Sequence, residues 1–170
     1  METPSPFFIA ETEAWLVSHG ANSALAGYLI ASLRSADDLS NLSDNDLREI
    51  GPLLALSQKA LKEKLHASRV YIGRYGHSSG LAFHFHIIPI YDWVEKLFWQ
   101  DVRYRTLRQF AERDGETETD GAERTLFVWR EFCERVLPPP IQGPSVSEAI
   151  GLLRATMRTV CGLSEAAIGR

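Results

Sequence analysis

Alternating apolar and polar positions at the start of the chain give way to helical spacing further on. Residues 7–12 and 14–18 predict two short β-strands with a tight connection. His19-Gly20-Ala21-Asn22-Ser23 has the residue types of a loop, and residues 27–33 predict a third strand. The connections are too short for crossover helices, so these strands are expected to pair antiparallel. Leu42 and Ser43 open a long helix, in which Ser43 and Asp46 have capping-box spacing with Asp in place of the usual Glu or Gln. Leu47, Ile50, Leu54, Leu61 and Leu65 recur at helical intervals and predict a buried stripe, whereas Lys59, Lys62 and Lys64 predict a solvated face. Gly51-Pro52 interrupts the pattern; proline removes a donor and crowds the preceding turn, so a kink or break is expected there.

Residues 68–75 predict a fourth strand, with Val70 and Ile72 on one face and Tyr71 and Gly73 on the other. The glycine-bounded turn Gly76-His77-Ser78-Ser79-Gly80 joins it as a hairpin to a fifth strand within residues 80–91. There Ala82, His84 and His86 point one way, and Phe83, Phe85 and Ile87 the other. One face suits a core, while the opposite face carries two of the chain's five histidines. Helical spacing resumes with Trp93, Leu97, Tyr104, Leu107 and Phe110, through about residue 111. Beyond an acidic loop at 114–121, Leu126, Trp129, Cys133 and Val136 support a second helix, which Pro138-Pro139-Pro140 must end as a stiff polyproline spacer. Ser145 to Glu148 forms a capping box that opens a third helix, with Val146, Ile150, Leu153 and Met157 on its apolar side.

Composition narrows the picture. A length of 170 residues suits one domain, or one domain with a helical extension, and 45% hydrophobic residues favour a packed core over disorder. A formal net charge of −4 argues against a broad nucleic-acid surface but leaves room for one small anion held by local donors. Cys133 and Cys161 give neither a disulfide framework nor a four-ligand zinc pattern and read as packed thiols. No stretch approaches ~18 uninterrupted apolar residues, and the N-terminus lacks the basic and apolar regions of a leader. A cytoplasmic protein without membrane association is expected.

Three chemistries fit two imidazoles at i, i+2 on a strand. They can be ordinary residues of a half-exposed face. They can ligate a metal, which needs further ligands such as His77 or Asp92, although neither has a recognisable ligand spacing. Or one imidazole can attack phosphorus while an acceptor on its other nitrogen fixes the tautomer. The second can then protonate the departing oxygen. Backbone N–H groups of the 76–80 turn would cradle the phosphoryl oxygens.

The run His84-Phe85-His86-Ile87-Ile88-Pro89 resembles the motif of the histidine triad (HIT) family, His-φ-His-φ-His-φ-φ with φ hydrophobic, commonly followed by Pro. Trp15-Leu16-Val17, a loop and Gly27-Tyr28-Leu29-Ile30 are similar to that family's strand, loop and Pro-Gly-His-hydrophobic strand. Leu33-Arg34 and the stretch from Leu39 to Leu47 resemble its entry to the long helix, so the likeness spans residues 7–91. By this resemblance His84 falls on the nucleophile, which forms a covalent nucleotidyl-imidazole. His86 falls on the third histidine, which contacts the phosphate and assists the leaving group. Ala82 stands where the first histidine would be, and Tyr28 where a histidine often follows the glycine. His77-Ser78-Ser79-Gly80 replaces the Gly-Gln-Ser/Thr phosphate loop in shortened form, and Ser18 takes the approximate place of a ribose-binding residue.

The resemblance implies an α+β fold: an antiparallel sheet of about five strands, a long helix packed on it, and a C-terminal helical extension. Residues 1–91 would form the core and 92–170 the extension, packed on the same domain. The activity implied is that of a nucleotide phosphohydrolase or nucleotidyl transferase acting on the α-phosphate of a dinucleoside polyphosphate or nucleotidyl conjugate through His84. The alternative is a HIT-like module that binds nucleotides or partners without turnover. Expected site residues are His84 and His86 for chemistry, with His77, Ser78, Ser79, Gly80 and Ser18 holding phosphate and nucleotide. No cofactor, metal or nucleic-acid partner is implied, and a homodimer is.

Overall fold

The computed structural model of the chain describes residues 5–34, 38–75, 82–103 and 121–164, with the side chains of the last helix described through Met157. Five strands make one antiparallel sheet: β1 (Phe8–Glu11), β2 (Trp15–His19), β3 (Leu29–Leu33), β4 (Arg69–Gly73) and β5 (His84–Ile90). Their order across the sheet is β1-β2-β3-β5-β4, so the histidine strand lies inside the sheet and β4 at an edge. Leu16 opposes Ser32, and Ser32 opposes His84; Ser18 opposes Ile30, and Ile30 opposes His86. Directly opposed residues of antiparallel strands share a face, so these side chains lie on the histidine side.

The other side is the main core. Trp15, Val17, Leu29, Ala31, Leu33 and Ile87 are fully or almost fully buried there, beneath α1 (Asp44–Leu65). Helix α1 starts where its capping box places it: Ser43 Oγ accepts from the Asp46 N–H at 3.2 Å, and Asp46 accepts from the Ser43 N–H at 2.9 Å. It ends at His66, whose φ of 57° is left-handed. The indole N–H of Trp15 donates to the Asp46 carbonyl at 3.0 Å, tying the helix start to β2.

The helix departs from its sequence reading in two ways. It runs unbroken through Gly51 and Pro52, both exposed, where water can satisfy the carbonyl that proline leaves without a partner. Its buried positions are Leu53, Ser57, Ala60, Leu61 and Leu65, while Leu47 is 48% exposed. Small residues at 57 and 60 let the helix approach its neighbours closely; counting only large apolar residues rotated the stripe. Ser57 Oγ is satisfied within the helix by the Leu53 carbonyl at 2.8 Å.

The C-terminal half adds α2 (Asp92–Gln100), α3 (Gly121–Val128) continuing into a π-helical turn (Trp129–Glu134), and α4 (Val146–Ser164). Helix α4 opens on the expected capping box, with Ser145 and Glu148 bonded reciprocally, and buries Ile150, Leu153 and Met157 against β1 and α1. In α2 the buried residues are Val94 and Phe98 rather than Trp93 and Leu97. In α3 and the turn they are Arg124, Thr125, Phe127, Val128, Glu131 and Phe132, whereas Val136 is 94% exposed and Trp129 41%. A π-turn inserts one extra residue per turn and rotates every later side chain, which a 3.6-residue period does not anticipate. The helical run stops at Glu134, ahead of the prolines.

Helix α3 covers part of the histidine side of the sheet. A Cβ at Gly121 would come within 2.3 Å of the Tyr71 ring, and Tyr71 opposes Ile88 of β5. Buried Arg124 donates to Glu95 Oε1 of α2 through Nε at 3.1 Å and Nη2 at 2.8 Å. Its guanidinium lies 5.8 Å from the Phe98 ring and 5.7 Å from the Trp99 ring, joining α2 to α3 through charge and stacking. Ile88 and Ile90, on the histidine side of the sheet, are buried at 1% and 0% exposure, with α3 packed against β5. Among the described residues no helix is long and apolar enough to cross a membrane.

Candidate active site

His84 and His86 project from β5 on one face with ring centroids 4.9 Å apart, T-shaped. They sit differently. His84 is half-buried at the start of the strand, and its Nδ1 lies 2.8 Å from the Ala82 carbonyl oxygen. A carbonyl only accepts, so Nδ1 carries the hydrogen and the neutral ring keeps its lone pair on Nε2. Ala82 itself is exposed and precedes the strand, so the expected alternation of three residues holds only for His84 and His86.

His86 is buried, at 8% exposure, between Ile30 of β3 and Gly73 of β4. The Tyr75 ring lies over Gly73: a Cβ there would stand 3.1 Å from the Tyr75 hydroxyl and 3.2 Å from its Cζ, so the ring would have to shift by a few tenths of an ångström. Three rings then enclose the imidazole. Tyr75 lies 5.3 Å away and tilted, Tyr28 5.9 Å and edge-on, Trp129 6.1 Å and edge-on. Burial drives the His86 pKa down to about 4, with neighbouring His84 adding to the shift, so the ring is neutral at neutral pH.

The Tyr28 hydroxyl lies 2.9 Å from His86 Nδ1. Burial pushes the Tyr28 phenol well above its ordinary value, with Cys133 and Tyr75 contributing, so the group is an O–H that can donate to Nδ1 or accept from it. In a neutral ring that accepts at Nδ1, the hydrogen sits on Nε2.

The wall around His86 comes from both halves of the chain. Tyr75 donates to Thr125 Oγ1 of α3 at 2.9 Å, and the Trp129 indole N–H donates to Glu134 Oε1 at 2.7 Å. The loop carrying Tyr28 is pinned to the same segment: the Ala24 N–H donates to the Phe132 carbonyl at 2.8 Å. Burial raises the Cys133 thiol pKa, in keeping with a packed cysteine. From the end of β5, the Tyr91 hydroxyl donates to the Ala26 carbonyl at 2.7 Å.

The remaining expected residues fall as follows. Ser18 lies on the histidine side two strands from His86, half-buried, roughly 10 Å away by strand spacing. His77, Ser78, Ser79 and Gly80 lie outside the described residues, as do Tyr104, Leu107 and Phe110. His19, expected in a loop, ends β2 on the opposite side of the sheet; its ring nitrogens face the Gly20 and Leu25 carbonyls at 2.9 and 3.1 Å. Among the described residues no group of three or more His, Cys, Asp or Glu gathers as metal ligands, and Asp92 Oδ1 accepts from the Ser68 hydroxyl. Tyr28, Tyr75 and Trp129 were not among the expected site residues. Period-two spacing from Tyr28 through Ile30 to Ser32 placed Tyr28 on the histidine face; Trp129 had no such signal, because α3 reaches the site only through tertiary packing.

No family sequence model matches the chain, and no curated protein sequence does. Solved structures do resemble it. A zinc-bound histidine triad family protein from Mycobacterium smegmatis superposes with a TM-score of 0.54 at 14% identity, over 95% of this chain and 89% of that one. A Hit-like protein from Bartonella henselae gives 0.50 at 12% identity, over 88% and 84%. A uridylyltransferase gives 0.52 at 13% identity, over 91% of this chain but 42% of that one. At such identities the likeness concerns the fold, and by sheet, long helix and histidine strand this chain has the α+β fold of histidine triad proteins.

Proposed function

We propose that the protein is a nucleotide phosphohydrolase or nucleotidyl transferase that attacks the α-phosphate of a dinucleoside polyphosphate or nucleotidyl conjugate with His84 Nε2. The observation that carries this reading is the hydrogen bond from His84 Nδ1 to the Ala82 carbonyl, with the His86 ring beside it on a HIT-like sheet. That bond aims the ring and stabilises the imidazolium character that develops when Nε2 bonds to phosphorus. In this reading residues 1–91 carry the chemistry, and residues 92–170 pack on them and wall the site. His86 contacts the phosphate, Ser18 lies toward the ribose, and His77, Ser78, Ser79 and Gly80 supply the phosphate cradle. A homodimer formed through the long helix and edge strand, in the cytoplasm, belongs to the same reading; exposed Leu47 and the edge position of β4 support it. Incubation with a panel of adenylylated and other nucleotidylated substrates, followed by acid-free trapping of label on His84, tests the reaction. Turnover by wild type and loss in His84→Ala is the expected result; equal rates for the two on every substrate would overturn it.

A second reading, a module that binds nucleotide without turnover, has its own observation in Ala82, which brings no imidazole to the first triad position. Calorimetric binding of a nucleotide by a protein that turns none over would favour it.

A further inference from the structure

His86 is held by one hydrogen bond and three rings, and these decide what it can give a substrate. The geometry points to Tyr28 as a positioning residue that locks His86 as an uncharged Nε2–H donor, and hence to substrates whose leaving group departs as an anion: phosphoanhydrides rather than phosphoramidates. This rests on the reading of His84 as the nucleophile.

The lock has two parts. The Tyr28 hydroxyl lies 2.9 Å from Nδ1, and with the phenol as donor that bond is available only while Nδ1 carries no hydrogen. The ring is also enclosed by Tyr28, Tyr75 and Trp129, so an added charge is poorly solvated. The ionisable groups facing it among the described residues are His84 on its own strand, Tyr28 from the β2–β3 loop and Tyr75 beyond β4, with Cys133 behind Tyr28. None of these is a carboxylate that would hold an imidazolium. Glu134, on the π-turn, accepts instead from the Trp129 indole. The lowered pKa of His86 agrees with this arrangement.

The consequence is chemical. When His84 Nε2 bonds to the α-phosphorus, the bond from phosphorus to the leaving atom breaks and its electron pair goes with that atom. A phosphate or polyphosphate oxygen keeps the pair as a stable anion and needs no proton; the Nε2–H of His86 has only to hydrogen-bond the phosphoryl group as charge shifts. An amine nitrogen cannot leave with the pair unless it is first protonated, which a neutral imidazole does poorly. Water then attacks phosphorus, the N–P bond breaks with its pair returning to His84 Nε2, and the proton lost by water passes to the released nucleotide or to solvent.

Two measurements on the full-length protein test the inference. In the first, ¹⁵N-histidine NMR follows the His86 ring of wild type and Tyr28→Phe across pH. The expected wild-type result is hydrogen on Nε2, with protonation only well below pH 6; in Y28F, which keeps the ring, the tautomers mix and protonation moves to higher pH. Hydrogen on Nδ1 in wild type would overturn the lock, whatever the variant does. In the second, kcat/KM is compared for matched phosphoanhydride and phosphoramidate conjugates of adenosine, guanosine and uridine. The anhydride should be favoured by about 100-fold or more, the scale of lost acid catalysis, and Y28F should lower kcat on it by ~10-fold with KM little changed. Phosphoramidates turned over as fast as anhydrides would overturn the leaving-group inference while leaving His84 as nucleophile. Absence of turnover on every conjugate, with the tautomer as stated, would overturn the reaction assigned to His84 and the leaving-group inference with it, but not the positioning role of Tyr28.

Discussion

His84 Nδ1 hydrogen-bonds the carbonyl oxygen of Ala82 two residues before it, at 2.8 Å. The backbone at Ala82 thus orients the His84 ring, and any residue at position 82 could provide that carbonyl. Ala82 lies just ahead of β5 with an exposed side chain, so a larger side chain at this position would extend into solvent rather than over His84. Ala82→His is expected to fold normally and to turn over nucleotide no faster than wild type. A clear gain in kcat/KM would show that an imidazole at 82 reaches the reacting atoms after all.

Burying a neutral histidine ties stability to pH. The His86 pKa is lowered from 6.5 to about 4, so between those values the unfolded chain binds the proton that the folded one refuses. Stability contributed at neutral pH is therefore lost as pH falls from about 6.5 toward 4. The upper bound is ~3 kcal/mol, from 1.36 kcal/mol per pKa unit. His19, also lowered by burial, acts in the same direction. Urea unfolding at pH 7 and pH 4.5 should show a smaller loss for His86→Gln than for wild type; identical losses would mean that His86 is protonated freely in the folded state.

Gly27 is the hinge that delivers Tyr28. Its φ is +80°, and a Cβ would come within 2.7 Å of Leu65 Cδ1, 2.8 Å of Leu61 Cδ2 and 3.0 Å of the Tyr91 hydroxyl. Left-handed strain costs about 1–2 kcal/mol and overpacking a further ~1–3. Gly27→Ala should lower stability by roughly 2–5 kcal/mol in chemical denaturation and weaken the Tyr28–His86 bond, visible in the His86 tautomer by NMR. A variant within 0.5 kcal/mol of wild type would show that the loop gives way easily, and that Tyr28 is not placed by Gly27.

The strands were legible because their pattern is local: alternation over five to seven residues fixed the face of His84 and His86, and the strand expected from residue 27 begins two residues later, at Leu29. Both capping boxes, at Ser43 and Ser145, were readable for the same reason. What the sequence hid is non-local. Ser57 and Ala60 are buried because small residues permit close approach, and Leu47 is exposed because nothing in the described chain packs over it. The π-turn at Trp129–Glu134 put Phe132 inside and Trp129 at the site, against the 3.6-residue count. Tyr75 meets His86 across Gly73, whose missing side chain leaves room for the ring, a relation that spans two strands.

Trp129 provides the test of how the extension acts on the site. Its ring meets His86 edge-on at 6.1 Å while 41% of the residue remains exposed, and its indole N–H is held by Glu134. Replacing it by Ala removes one of three walls, admits water to the imidazole and restores part of the solvation that a positive charge needs. The His86 pKa should therefore rise from about 4 toward 6.5, with hydrogen remaining on Nε2 because Tyr28 is untouched. Stability should fall by only about 1–2 kcal/mol, since a half-exposed indole loses less than a buried one. A His86 that still titrates near 4 in Trp129→Ala would place its desolvation entirely with Tyr28, Tyr75 and the sheet. The extension would then be a support for the fold that leaves the electrostatics of the histidines alone. A rise of a full unit or more would make residues 129–134 part of what sets His86 neutral, and with it the kind of leaving group the site accepts.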